Sequence, residues 1–270
     1  MLMVISPAKS LDYDGPDYEH STVPEVLNQS ETLVKQLSDY DAPQLSELMN
    51  ISDKLAQLNQ QRFQDFQTPF TPDNAKQALL VFDGDVYKGI DVKNYDEDDL
   101  TFAQDHLRIL SGLYGILRPL DLMQPYRLEM GTKIAHAKLQ DLSANTLYEF
   151  WADKLAQAIN EQLDKHEQKI IINLASNEYF KAVKPKLLQG KIITPVFKDW
   201  KNDKYKIISI YAKKARGMMT SFIIRNRIKD IKELHNFAEA GYKYNQELST
   251  KNNPIFTRWL FSFNFISNII

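Results

Sequence analysis

The sequence predicts an α+β fold, a single compact domain with a mixed β-sheet flanked by helices, and three observations carry that expectation. Short, mostly apolar segments read as strands, at residues 1–5, 78–82, 107–110 and 169–174, alternate with helical patterns. The β-branched and aromatic runs 191–197 and 205–211 bracket a turn at 199–203, which reads as a hairpin and argues against an all-parallel sheet. No internal repeat, low-complexity tract or Gly/Ser linker divides the 270 residues, so one domain is expected over 1–270, with an apolar tail over 253–270.

Element by element, the run Met1-Leu2-Met3-Val4-Ile5 is too short and too poorly flanked for a signal peptide and reads as a buried first strand. Residues 24–66 read as helical: Leu27, Leu33, Val34 and Leu37, then Leu45, Leu48, Met49, Leu55 and Leu58, fall near helical spacing, with Pro24 and Pro43 placed for first turns. Ala78 to Phe82 reads as a strand ending at Asp83-Gly84-Asp85. Tyr95 to Arg108 reads as a helix whose acidic start matches the helix dipole. A strand at 107–110, a helix near 146–163, a strand at 169–174, the hairpin, and a basic helix from about Ala212 complete the series.

Composition excludes several chemistries. There is no cysteine, so neither a disulfide framework, nor a thiolate metal site, nor a peroxidatic cysteine is available, and a reducing cytoplasm is the expected location. No window approaches the roughly 20 apolar residues of a spanning helix, so no membrane partner is expected. His20, His106, His136, His166 and His235 are scattered without a helical metal-ligand spacing, so no metal is expected. Neither a GxSxG nor a Walker A motif occurs, although Ser6, Ser111 or Ser176 could serve as nucleophiles in a folded site.

The net charge of -2 hides an asymmetry: residues 1–105 carry 20 acidic and 7 basic side chains, residues 181–232 carry 3 and 15. A field of that size attracts polyanions, so phosphate or nucleic acid becomes a candidate partner, against the alternative of a merely solvated surface. On the basic helix, a rotation of about 100° per residue places Lys213, Arg216, Thr220 and Arg227 together, opposite Ala215, Met218, Met219 and Phe222.

Three polar clusters follow strands, where open sheets place ligand sites. In Ser6 to Lys9, Lys9 offers a point charge to phosphate; the alternative is an ordinary turn. In Gly112 to Arg127, glycines permit close approach and Arg118 and Arg127 can grip phosphate, unless they pair with Asp121 and Glu129 instead. In Asn173 to Lys181, Ser176 or Asn177 caps a helix whose free amides and Lys181 could also sit beside an anion.

The blocks SPAKSLDY (6–13), ISDKLAQLNQQRF (51–63), GDVYKG (84–89), LSGLYGILRPLDLMQPYRLEMG (110–131), NLASNEYFKAVKPK (173–186) and ISIYAKKARGMMTSFIIRNR (208–227) together resemble the YaaA family of peroxide-stress proteins, from Met1 to about Tyr242. The resemblance implies a cytoplasmic protein of the hydrogen peroxide response, associated with limiting free intracellular iron and DNA damage, with a basic cleft that binds DNA. It also implies a helix-hairpin-helix-like element. Residues 44–66 are the segment for it, with a hairpin near 50–54 that lacks the usual glycine–hydrophobic–glycine, and with Lys54 and Arg62 as its phosphate contacts.

The leading expectation is therefore a DNA-binding stress protein without sequence specificity, on duplex or branched DNA, needing no cofactor. Its phosphate contacts would be Lys9, Arg118, Arg127, Lys181, Lys184, Lys186, Lys213, Lys214, Arg216, Arg225 and Arg227. The alternative is an enzyme acting on a nucleotide or other phosphorylated small molecule, with Tyr114, Glu129, Ser176 and Glu178 as catalytic candidates, because a DNA clamp has little use for carboxylates and tyrosines. A third reading is a regulator acting through a protein partner at the apolar tail.

Overall fold

A computed structural model describes residues 1–15, 18–134 and 144–259. In chain order the elements are β1 (Leu2–Ile5), β2 (Ser10–Leu11), α1 (Leu27–Leu37), α2 (Ala42–Met49), α3 (Asp53–Gln64), β3 (Lys76–Gln77), α4 (Ala78–Val81), β4 (Phe82–Asp83), α5 (Asp85–Ile90), α6 (Glu97–His106), β5 (Leu107–Ser111), β6 (Gly115–Leu117) and β7 (Leu122–Met123). Then follow α7 (Leu147–Trp151), α8 (Lys154–Leu163), β8 (Ile170–Asn173), α9 (Asn177–Ala182), β9 (Lys191–Ile193), β10 (Val196–Trp200), β11 (Tyr205–Lys206), α10 (Ser209–Arg225), β12 (Lys243–Tyr244) and β13 (Ile255–Trp259).

The fold is α+β with mixed sheets. The main sheet has the order β6-β5-β1-β8-β9, with β5, β1, β8 and β9 parallel and β6 antiparallel at the edge. All four residues of β1 are buried, which is why it reads as a continuous apolar run rather than an alternation. A second sheet, β11-β10-β13-β12, pairs β10 with β13 in parallel from Val196–Ile255 to Trp200–Trp259. Phe197, Phe237, Tyr242 and Phe256 pack edge-on and stacked beneath it. The fully buried Asp199 is matched by Arg258 at 2.6 Å and the Tyr242 hydroxyl at 2.9 Å, so its charge is compensated.

Several expectations are corrected. Ala78–Val81 forms one helical turn, not a strand, and only Phe82–Asp83 is extended; a short, fully buried apolar run has no periodicity to separate the two. The helix expected near 146–163 is two helices, broken at Ala152, whose φ of 45° no helix accommodates. The run 191–197 splits between the two sheets: β9 joins the main sheet, and β10 pairs with β11 through Asn202 and Asp203, both at positive φ as a tight hairpin turn requires. Ser209 to Tyr211 already belong to α10. The apolar segment after Pro254, for which a strand is one reading, begins as β13 inside the second sheet; residues 260–270 and His136 lie outside the described residues.

Helix α10 is the element that positions the basic residues, and it is packed on two sides, against α5 and against β10. A helix held in this way has no single polar stripe. Thr220, expected on the cationic face, is fully buried with its hydroxyl donating to the Arg216 carbonyl at 2.9 Å. Arg227 lies past the helix end at φ 52° and is drawn onto the buried Asp99 of α6. Lys213, Lys214 and Arg225 remain exposed.

Candidate functional site

The chain passes from β1 outward to β5 and β6, then returns across β1 to β8, so the strand order reverses between β1 and β8. In open sheets the loops leaving two strands at such a point diverge and leave a crevice at their carboxyl ends. Here those loops carry Ser6 and Ser176. The Ser176 backbone N–H donates to Ser6 Oγ at 2.9 Å, and Ser6 Oγ lies 3.3 Å from Ser176 Oγ. The Tyr87 hydroxyl donates to the Ser6 carbonyl at 3.0 Å and fixes the β1 loop from α5; burial pushes the Tyr87 hydroxyl far above its ordinary pKa, so it stays protonated. Ser176 also caps α9, its Oγ accepting from the Tyr179 N–H at 3.5 Å.

A pocket of about 560 Å³ opens at this point, lined by Ser6, Lys9, Asp83, Asp85, Lys88, Glu129, Ser176, Glu178, Tyr179, Lys213 and Arg216, with Lys88 3.9 Å from Asp83. Glu129 Oε1 is held between Lys9 at 2.8 Å and Arg127 at 3.1 Å. Glu178 Oε1 accepts the Gly131 N–H at 2.9 Å. Arg216 is half-buried, and burial pulls its guanidinium pKa down. Among the described residues no carboxylate stands within ion-pair distance of Lys213, Lys214, Arg216 or Arg225.

Two further hollows adjoin it. One of about 520 Å³ shares Lys88 and continues along α5 and α10 past Lys214 and Ser221 to Arg225. The other, of about 820 Å³, shares Glu129 and Glu178 and is walled by α2 and by Asn50, which leaves α2 at φ 51°. Glu129 and Glu178 thus stand between a side lined by the α2–α3 turn and a side lined by residues of α5 and α10, where Lys88, Lys213, Lys214, Arg216 and Arg225 are interspersed with Asp83, Asp85, Asp91 and Glu239.

Of the three sequence clusters, the structure brings Ser6–Lys9 and Asn173–Lys181 together. The middle cluster joins only through its end, where Arg127 braces Glu129. Its glycines serve packing: a Cβ on Gly112 would overlap the Leu128 carbonyl. Tyr114 is fully buried, its hydroxyl accepting the Gln124 N–H at 2.9 Å and donating to the Gln124 carbonyl at 3.1 Å, so it is a core residue that does not face the pocket. Arg118 pairs with Asp121 at 2.8 Å and with Glu25 at 3.6 Å. Both arginines of this cluster therefore take the ion-pair alternative.

The remaining candidates are dispersed. Lys181 lies 4.9 Å over the Tyr148 ring, and Lys184 pairs with Asp153 at 2.6 Å. Neither these two nor Lys186 lines the pocket. Lys54 is exposed in the first turn of α3, and Arg62 is half-buried near Tyr13; neither lines any of the three hollows. Sequence reasoning gave no role to Lys88, Tyr87 or Tyr179. The GDVYKG block, placed directly after a buried apolar run, was the signal for the first two.

Fold and site together define an α+β protein with a crevice at the strand-order reversal of its main sheet, continued by a hollow along α5 and α10 that carries Lys88, Lys214 and Arg225 with Asp91 and Glu239. Residues 1–248 match the family described as "Peroxide stress protein YaaA". A "UPF0246 protein" of Saccharophagus degradans is 53% identical over 259 residues, covering 96% of this chain and 99% of that protein. The chain belongs to the YaaA family of peroxide stress proteins. No helix among the described residues is long and apolar enough to cross a membrane.

Proposed function

We propose that this chain serves the peroxide-stress role of its family by binding DNA, largely without regard to sequence, in a basic cleft along α5 and α10. One observation carries the reading. Arg118, Arg127, Lys184 and Arg227 each have a carboxylate partner, whereas Lys213, Lys214, Arg216 and Arg225, all on one helix, have none among the described residues. Cations left free of carboxylates are the ones able to exchange counterions for phosphates. Contacts to phosphate position a protein on DNA but carry no sequence information, which suits protection of DNA wherever damage falls. The α2–α3 turn, on the far side of Glu129 and Glu178, is the helix-hairpin-helix-like element of this reading, with Lys54 as its exposed cation.

The test is anisotropy of a labelled duplex titrated with protein from about 50 to about 200 mM salt. Duplex affinity falls steeply with salt, and replacing Lys213, Lys214 and Arg225 by alanine together flattens the log–log slope by about 0.9 for each phosphate no longer neutralised. Binding that ignores salt, or a triple variant with an unchanged slope, defeats the reading. Limitation of free iron belongs to the same proposal and is tested separately, by chelatable iron in peroxide-treated cells with and without the chain.

A further inference from the structure

We infer that the crevice between the β1 and β8 loops is a site for a single phosphate monoester that also carries hydrogen-bond donors, a molecule of the nucleoside monophosphate type, and that Arg216, Lys213 and Ser176 hold its phosphoryl group. The inference shares Lys213 and Arg216 with the DNA reading, but it concerns the crevice those two residues line and not the length of the cleft along α5 and α10.

The volume comes first. About 560 Å³ lies in the range of small-molecule sites and is far more than a bare inorganic anion fills. The second ground is the unpartnered charge in its wall. A half-buried guanidinium without a carboxylate keeps N–H donors free for an incoming anion, and burial pulls the Arg216 pKa down. Lys213, one turn earlier on α10, lines the same space.

The hydroxyl network supplies a third donor. Ser6 Oγ accepts from the Ser176 N–H and donates to Ser176 Oγ. Ser176 Oγ therefore accepts from Ser6 and from the Tyr179 N–H, while no acceptor among the described residues takes its own proton. Guanidinium, ammonium and hydroxyl are three donor groups for the three terminal oxygens of a monoester.

The carboxylates decide the rest of the ligand. Glu129 and Glu178 each engage one oxygen, Oε1, and leave Oε2 without a partner among the described residues. Acceptors in the same wall repel a run of phosphates but match hydroxyl or amine donors on a sugar or base. A polyphosphate or a continuous nucleic-acid backbone is thus disfavoured inside the crevice, and one phosphoryl group with a donor-bearing remainder is favoured.

Isothermal titration of the full chain with thymidine 5′-monophosphate, and with thymidine, reads the site directly. The monophosphate is expected to bind one per chain, with thymidine weaker by about tenfold or more. Arg216→Gln is expected to lose about tenfold, as is Ser176→Ala, which keeps the fold testable if the arginine variant does not fold. Lys93→Gln, an exposed lysine outside the pocket, is expected to change nothing. Equal binding of monophosphate and thymidine, no binding of either, or a loss in Lys93→Gln equal to that in Arg216→Gln overturns the inference. The source of the phosphoryl group is read by competition. A 5′-phosphorylated oligonucleotide that displaces the monophosphate, where its 5′-hydroxyl counterpart does not, identifies a strand end; failure of both to displace it identifies a free nucleotide.

Discussion

Gly89 of α5 and Gly217 of α10 lie against each other so closely that a Cβ on Gly217 would overlap the Val86 carbonyl oxygen, and one on Gly89 the Lys214 carbonyl oxygen. This contact sets how near Lys88 comes to Lys213 and Lys214. Gly217→Ala gains about 1 kcal/mol of helix propensity but forces the two backbones apart, an overpacking cost of about 1–3 kcal/mol or more. A net loss of stability in urea denaturation is the expected outcome, together with weaker duplex binding from the displaced lysines. A variant as stable as the parent would mean that the helices are not in backbone contact.

Arg225 and Arg227 stand two residues apart and have different work to do. Arg225 is exposed and has no carboxylate partner among the described residues, whereas Arg227 neutralises Asp99, a carboxylate that is only 5% exposed. Arg227→Ala strands that charge and should cost about 1–3 kcal/mol of stability while leaving the salt slope of DNA binding unchanged. Arg225→Ala should leave stability within about 0.5 kcal/mol and lower the slope by about one. Parallel denaturation and salt titrations of the two variants separate these outcomes.

The contrast shows where the sequence was legible. Strands β1 and β8 are near-continuous apolar runs because they are buried, and β5 is equally buried although it includes Arg108, whose guanidinium donates to the Gln104 and Leu107 carbonyls; all three stand where expected. The loops after β1 and β8 could be picked out from strand position alone as the ones that meet in a crevice. What could not be read was partnership across the chain. Arg227 meets Asp99 across 128 residues, and Ser6 meets Ser176 across 170. Helical phase likewise put Thr220 on an open face, because periodicity records one apolar stripe and α10 is buried on two.

Tyr114 tests the difference between a site tyrosine and a core tyrosine. Its hydroxyl satisfies both the N–H and the carbonyl of Gln124, so Tyr114→Phe removes the partner of two buried backbone groups. The expected loss is about 2 kcal/mol in chemical denaturation, with duplex affinity and salt slope unchanged. Loss of binding without loss of stability would return Tyr114 to the functional residues.

His166 provides a pH test that lies away from the site. Its ring centroid is 4.4 Å from that of His106, and its Nε2 lies 3.1 Å from the Asp105 carbonyl oxygen. Burial, then the nearby N-terminal ammonium, then His106 pull its pKa down to about 4, and Arg108 acts in the same direction. Burial lowers the His106 pKa as well. In the unfolded chain a histidine titrates near the ordinary value of about 6.5. Between that value and about 4 the unfolded state binds the proton that the folded site refuses, so stability rises with pH across this window and falls as the solution is acidified. Carboxylates lose their own contributions over part of the same range, which makes the comparison with a variant the decisive reading. His166→Gln retains a donor for the Asp105 carbonyl and has no proton to take up. Its denaturation midpoint should fall less steeply than that of the parent between about pH 6.5 and about pH 4, and parallel curves would show that His166 is not held neutral by its neighbours.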